Sequence, residues 1–288
     1  MFLREVDCVL IIQKEKSVKE KKFILGNEIY YEYYPHPQST TTILLLHGFL
    51  SSTFSFRKLI PIAARDYNIL SVDLPPFGNS GKSSSYIYSH KNHSKMIIEL
   101  LKSLEINQVI LTGHSMGGQT CLNIMKDAPE LAAKGVLLCS SGYLKRSKAS
   151  LIFSSRLPFF HVFVKRLLAK TGVERNLQNV VFNHALIDQE MVDGYMQPFL
   201  NNEIFKGLTK MIREWEGDLL SEDLKQIETP CLLLWGEHDK VVPPEIGRRL
   251  HEDLPNSTLR IFEGIGHLLP EEEPEKVYTS MKEFIDGA

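Results

Sequence analysis

Val109-Ile110-Leu111-Thr112-Gly113-His114-Ser115-Met116-Gly117-Gly118 decides the fold. Its first four residues are β-branched or apolar, as in a buried strand, and the residues that follow, through Cys121, Leu122 and Met125, have helical spacing. Between strand and helix, Gly113-His114-Ser115-Met116-Gly117 fits the pattern G-x-S-x-G. Three fixed positions in five arise by chance, so the context carries the weight. A sharp strand-to-helix turn thrusts Ser115 out at the C-terminal edge of a sheet, and holding a non-glycine residue there costs about 1–3 kcal/mol of backbone strain. The same turn brings together the residues two before and two after the serine. Both must be small, and Gly113 and Gly117 are.

Outward from this turn, short apolar runs alternate with helical stretches. Toward the N-terminus, runs at 23–25 and 29–34 flank Gly26-Asn27, a hairpin signal. A run at 42–46 ends at His47-Gly48, and one at 68–72 ends at Asp73-Leu74-Pro75-Pro76-Phe77-Gly78; helical spacing is read at 54–65 and 95–104. Toward the C-terminus, strands are expected at 135–139, 231–235 and 258–262, with helices at 244–254 and 275–285. Such alternation predicts an α/β fold with a mostly parallel central sheet and helices on both faces. It breaks between 145 and 227, where amphipathic stretches rich in Phe, Leu, Lys and Arg replace it. The expected organisation is an N-terminal extension at 1–22, a core domain at 23–144 and 228–288, and an inserted helical cap at 145–227.

Composition sets bounds on function. The 288 residues are 43% hydrophobic and 24% charged, ample for a packed core, and the formal charge of −2 lacks the basic excess of a nucleic-acid binder. Cys8, Cys121, Cys139 and Cys231 form no CxxC pair or metal-ligand cluster, and the last three sit in apolar stretches, as expected of reduced thiols. The apolar run Val9-Leu10-Ile11-Ile12 is too short for a secretory or membrane-spanning segment. These features predict a soluble, cytoplasmic protein without integral membrane association.

A serine hydroxyl needs a base, and the base needs an orienting carboxylate. On this fold the partners are expected in the order serine, acid, histidine, in loops after late strands. The strand at 231–235 runs into Gly236-Glu237-His238-Asp239, and the strand at 258–262 into Glu263-Gly264-Ile265-Gly266-His267, both where ligands bind open α/β sheets. Ser115, Asp239 and His267 are therefore the expected catalytic set, with Glu237 the one nearby competitor for the acid. An oxyanion needs preorganised donors: the backbone N–H of Met116, after the serine, and that of Phe49, in the loop His47-Gly48-Phe49-Leu50. His47 is read as a brace for that loop. His90 and His93, spaced as half a metal site, are read as a solvated helix start, and His238 as an ordinary loop residue.

Together, His47-Gly48-Phe49, the segment from Asp73 to Ser80, Gly113–Gly118, the segment from Trp235 to Pro243, and Gly266-His267 resemble the α/β-hydrolase superfamily, in particular its compact bacterial members with a helical cap. The resemblance spans residue 23 to the end. It implies hydrolysis through an acyl-enzyme with no cofactor or metal, and a lid formed by 145–227. Epoxide hydrolases and haloalkane dehalogenases of this superfamily carry aspartate where Ser115 stands. Carbon–carbon bond hydrolases typically have Asn and Trp where this chain has His114 and Leu268, and perhydrolases have Phe in place of His114. The expected substrate is a small to medium, mostly apolar carboxylic ester, while some members with a complete triad serve as ligand receptors.

Overall fold

The computed structural model describes residues 17–287. Cys8 and the run from Val9 to Ile12 lie outside them. Eight strands, β1 (Val18–Ile24), β2 (Asn27–Tyr34), β3 (Thr42–Leu46), β4 (Asn68–Val72), β5 (Val109–His114), β6 (Ala132–Leu138), β7 (Cys231–Gly236) and β8 (Ser257–Phe262), form one sheet in the order β1-β2-β4-β3-β5-β6-β7-β8. β2 runs antiparallel to both its neighbours, β1 and β4, and from β4 onward every pair is parallel. Thr42–Leu46, Asn68–Val72 and Val109–His114 are buried along their whole length, because helices cover both faces of a parallel sheet and leave no wet side.

Two expectations near the N-terminus shift. The turn residues are Leu25 and Gly26, with φ of 49° and 81°, and Asn27 already pairs with Ile24. This two-residue loop has both central residues at positive φ, which matches the twist of a hairpin. The sheet also begins at Val18, inside the stretch expected to lie outside the fold. The strand Val-Lys-Glu-Lys-Lys-Phe-Ile is charged and exposed because it sits at the sheet edge, where charges discourage pairing with another chain. An apolar alternation was never required of it.

The core helices are α1 (Ile60–Ala63), α2 (His90–Ser103) and α3 (Met116–Asp127). Between β6 and β7 come α4 (Ala149–Ser154), α5 (Phe160–Thr171), α6 (Val173–Val180), α7 (Gln189–Met196), α8 (Glu203–Glu214) and α9 (Ser221–Leu224); α10 (Pro244–Asp253), α11 (Leu269–Glu272) and α12 (Pro274–Asp286) complete the chain. The region expected as one helix at 54–65 is a 3-10 turn at Thr53–Phe56 followed by the single turn of α1. The helical segment leaves and rejoins the core side by side: Lys145 bridges Gly217, and Asp218 N–H donates to Leu144 O at 2.8 Å. Beyond that bridge, Leu224 and Ile227 are buried in the main core, so 218–227 packs with the sheet domain. Leu177, Val181, Met191, Tyr195 and Leu268 form a second, smaller apolar cluster, joining the helical segment to the loop after β8. No helix among the described residues is long and apolar enough to cross a membrane.

Candidate active site

Ser115 stands between β5 and α3 with φ 52° and ψ −117°. Its N–H donates to Leu138 O at 3.0 Å, and its carbonyl accepts from Gly118 N–H at 2.9 Å and Ser141 N–H at 3.0 Å, so the end of β6 and the first turn of α3 pin it. The glycines around it are dictated by contact. A Cβ on Gly113 would lie 2.4 Å from Gly117 O, and one on Gly117 would lie 2.1 Å from Leu46 O. The turn and the adjoining β3 thus exclude any side chain at either position.

Gly48 brings the loop after β3 against the serine, where a Cβ would sit 3.1 Å from Ser115 Cβ. His47 braces this loop: its Nε2 accepts from Leu74 N–H at 2.9 Å, which leaves Nδ1 as the protonated nitrogen that donates to Gly48 O at 2.7 Å. Burial pushes its pKa down to about 4, so the ring is neutral at physiological pH. The N–H groups of Phe49 and Met116 have no hydrogen-bond acceptor among the described residues.

The loops after β7 and β8 meet at Asp239 and His267, where His267 Nδ1 lies 2.7 Å from Asp239 Oδ2. The other carboxylate oxygen accepts from Val241 N–H at 2.8 Å and Val242 N–H at 2.9 Å. Burial works to raise the pKa of Asp239, but the hydrogen bond and charge of His267, with the bond from Val242, outweigh it and hold the carboxyl below its ordinary range. Glu237 points elsewhere; its half-exposed carboxylate lies 3.4 Å from His238 Nε2, and the His238 ring stacks on Phe182. Among the described residues, Cys139, Asp239 and His267 are the one trio of potential metal donors close together, within 4.8 Å. Two of the three are already bonded to each other.

His114 and the helical segment hold His267 by its backbone. The ring of His114 is neutral because burial, then repulsion from His267, pushes its pKa down to about 3; its Nε2–H donates to His267 O at 2.8 Å. His267 N–H donates to Val180 O, at the end of α6, at 2.7 Å. Glu272 spans the same junction, accepting from Gly266 N–H at 3.0 Å and from Phe182 N–H at 2.8 Å. Gly266 has to be glycine, since a Cβ would lie 2.6 Å from Val180 O. Sequence reading missed Val180 and Glu272: a backbone carbonyl carries no sequence signal, and Glu272 is one of three consecutive glutamates with no mark to single it out.

His90 and His93 depart from the expected solvated helix start. Both are fully buried, because the return of the helical segment covers the start of α2. His90 Nε2 lies 3.2 Å from Asp218 Oδ1 and its ring packs on Trp215; His93 stacks on Tyr86, and burial pushes its pKa down to about 3.

Ser115 opens into a cavity of two lobes that share Phe49, Leu168 and Val241. The larger, about 690 Å³, runs past Met116 under α5 and α8 and is walled by residues such as Val164, Leu208, Met211, Trp215 and Ile246. The smaller, about 410 Å³, contains His267 and is bounded by Ser51, Asn176, Leu177, Tyr195 and Phe199. Two aromatic residues of the helical segment divide between the lobes: Phe199 is half-buried in the smaller, whereas Phe163 is exposed at the rim of the larger.

The chain belongs to the alpha/beta hydrolase fold family, whose model matches residues 41–274, and it is a hydrolase. It is 52% identical over 260 residues to the uncharacterized hydrolase YugF of Bacillus subtilis, covering 90% of this chain and 95% of that one. Its fold is similar to that of a thermophilic esterase from Thermogutta terrifontis (TM-score 0.77, 19% identity, 94% of this chain and 98% of that one). It is also similar to that of a meta-cleavage product hydrolase from Pseudomonas fluorescens (TM-score 0.75, 19% identity, 93% and 97%).

Proposed function

We propose that the chain is a serine esterase in which Ser115 is the nucleophile, His267 the general base and Asp239 the group that orients it. The observation that carries this reading is the 2.7 Å bond from His267 to a buried carboxylate, made in the cavity into which Ser115 projects. In the proposed reaction His267 Nε2 takes the Oγ proton as the Oγ–carbon bond forms. The oxyanion accepts from the N–H groups of Phe49 and Met116, which are free to donate to it. His267 then hands the proton to the leaving alcohol as the carbon–oxygen bond breaks, and water releases the acyl group by the reverse steps.

Because His267 protonates the leaving group, the alcohol belongs in the smaller lobe and the acyl chain in the larger. The apolar walls of the larger lobe favour a mostly apolar acyl group. Residues 145–217 act as the lid in this reading, excluding water from the oxyanion donors and strengthening their hydrogen bonds.

A fluorophosphonate probe tests the assignment. It should label the protein, and Ser115→Ala should abolish both labelling and steady hydrolysis of p-nitrophenyl butyrate. Persistent labelling of the variant would overturn the assignment, and a single burst without turnover in the unmodified protein would favour a ligand receptor.

A further inference from the structure

The stretch from 145 to 171, which opens the helical segment, holds seven of the chain's 33 Lys and Arg residues and none of its 35 Asp and Glu residues. In a chain with a formal charge of −2, this is a concentrated positive region. It is also where large apolar side chains meet water: Phe153 is 68% exposed and Phe159 76%, with Leu157, Phe163 and Leu167 each more than half exposed.

Helical geometry orders these groups. Phe159, Phe163 and Leu167 are four residues apart and so form a row along one face of α5, from its N-cap toward its end. Arg166 and Lys170 stand seven residues after Phe159 and Phe163, two turns along the same face. Among the described residues neither pairs with a carboxylate. Lys165 points the other way, donating to Asn202 at 2.6 Å and lying over the ring of Phe205. The opposite side of α5, with Val164 and Leu168, packs on the main core. Phe163 and Leu167 also line the larger lobe, so the exposed row runs along the rim of the cavity beside Ser115.

We infer that this face of α5 is a docking surface for an anionic lipid bilayer. An amphipathic helix of this kind lies in the plane of the interface, its Phe and Leu groups at the acyl boundary and its Lys and Arg at the level of the phosphates. A bilayer satisfies both halves of the pattern at once and sets the rim of an apolar cavity against the phase in which apolar molecules dissolve. The surface makes no use of Ser115, and so stands apart from the esterase reading.

The test is co-sedimentation of the full chain with vesicles of phosphatidylcholine, alone or containing 30% phosphatidylglycerol. Binding is expected only to the anionic vesicles and is weakened by salt. Each cation near such a surface is worth about a factor of five, so Arg166→Glu with Lys170→Glu should weaken binding about 25-fold or more while leaving hydrolysis of p-nitrophenyl butyrate unchanged. Phe159→Ser should weaken it further, and Ser115→Ala should bind like the unmodified protein. No binding, equal binding to both vesicle types, or full binding by the double reversal would overturn the inference. Sedimentation without vesicles, caused by self-association through this face, would overturn it as well. So would loss of soluble-ester hydrolysis in the double reversal, which would move those cations into the site.

Discussion

At the C-terminal edge of the sheet, backbone geometry sets the position of each side chain; in the helices above it, packing does. Ser115 is fixed by carbonyl and amide bonds to the end of β6 and the first turn of α3, and Gly113 and Gly117 leave it no alternative path. The helical segment has no comparable frame. It is held by side-chain packing and a few loop contacts: Ile204, Phe205, Leu208 and Met211 of α8 in the main core, the Lys145–Gly217 bridge, the small cluster around Leu177 and Tyr195, and the contacts of Val180 and Glu272 with the loop of His267. The first region is built to hold atoms at a fixed spacing, the second to present a lining and a face. Substitutions at the sheet edge should therefore change rate by orders of magnitude, and those above it should change preference by small factors.

The sharpest contrast within the sheet edge is between two acids two residues apart. Asp239→Asn should lower kcat by about 10³–10⁴-fold, since the imidazole loses both its orientation and the charge that stabilises its protonated form. Glu237→Gln should change kcat by less than about threefold, because Glu237 reaches only His238 at a half-exposed surface. Steady-state kinetics on one p-nitrophenyl ester decides the matter. A larger effect at Glu237 would reassign the acid and undo the reading of the loop after β7.

The pH dependence of stability tests how dry the region under the site is. His47, His93 and His114 are buried, with pKa values pushed down to about 4, 3 and 3, chiefly by burial. In the unfolded chain each takes up a proton near pH ~6.5. Between that pH and about 4 the unfolded state thus binds more protons than the folded one, and stability falls as pH falls; above about 6.5 the contribution is fully present. Each histidine should cost about 1 kcal/mol per pH unit in that window. Burial pushes the Asp73 carboxyl up to about 6, which offsets part of this fall below pH ~6; urea midpoints measured from pH 7.5 to 4.5 should still decline, and His93→Phe should make the decline shallower. A slope unchanged by that substitution would mean that water reaches His93.

The same contrast explains what was legible in the sequence. All eight strands of the sheet, save the charged edge strand β1, announce themselves as apolar runs, and every residue assigned to chemistry follows the end of one of them. A strand end and a turn are local features, so the placing of Ser115, Asp239, His267, Phe49 and Met116 just past strand ends could be read from a few neighbours each. The burial of His90 could not, because Trp215 and Asp218, which cover it, are more than a hundred residues away in the chain. Nor could the exposure of Phe163: on an amphipathic helix, sequence gives the period but not which side meets the core, and here both sides carry apolar residues.

The finest test separates the two lobes within the site. Leu208 is buried in the wall of the larger lobe, and Phe199 lies in the smaller lobe with His267. If the acyl chain enters the first and the alcohol leaves through the second, the two positions control different halves of the ester. Leu208→Phe fills space along the acyl path, so kcat/KM should fall for decanoyl esters relative to butanoyl esters by about tenfold, the scale on which apolar pockets discriminate chain length. Phe199→Ala opens space beside the leaving group, so it should favour bulky over small alcohols by a few-fold and leave the acyl profile as it was. The measurement is a grid of kcat/KM values for butanoyl to decanoyl chains on ethyl and benzyl alcohols, taken for both variants. If Phe199→Ala shifted the acyl profile while Leu208→Phe shifted the alcohol profile, the substrate would run through the cavity in the opposite sense. His267 would then face the acyl chain rather than the group it has to protonate, and the proton path assigned to it would fail with the lobe assignment.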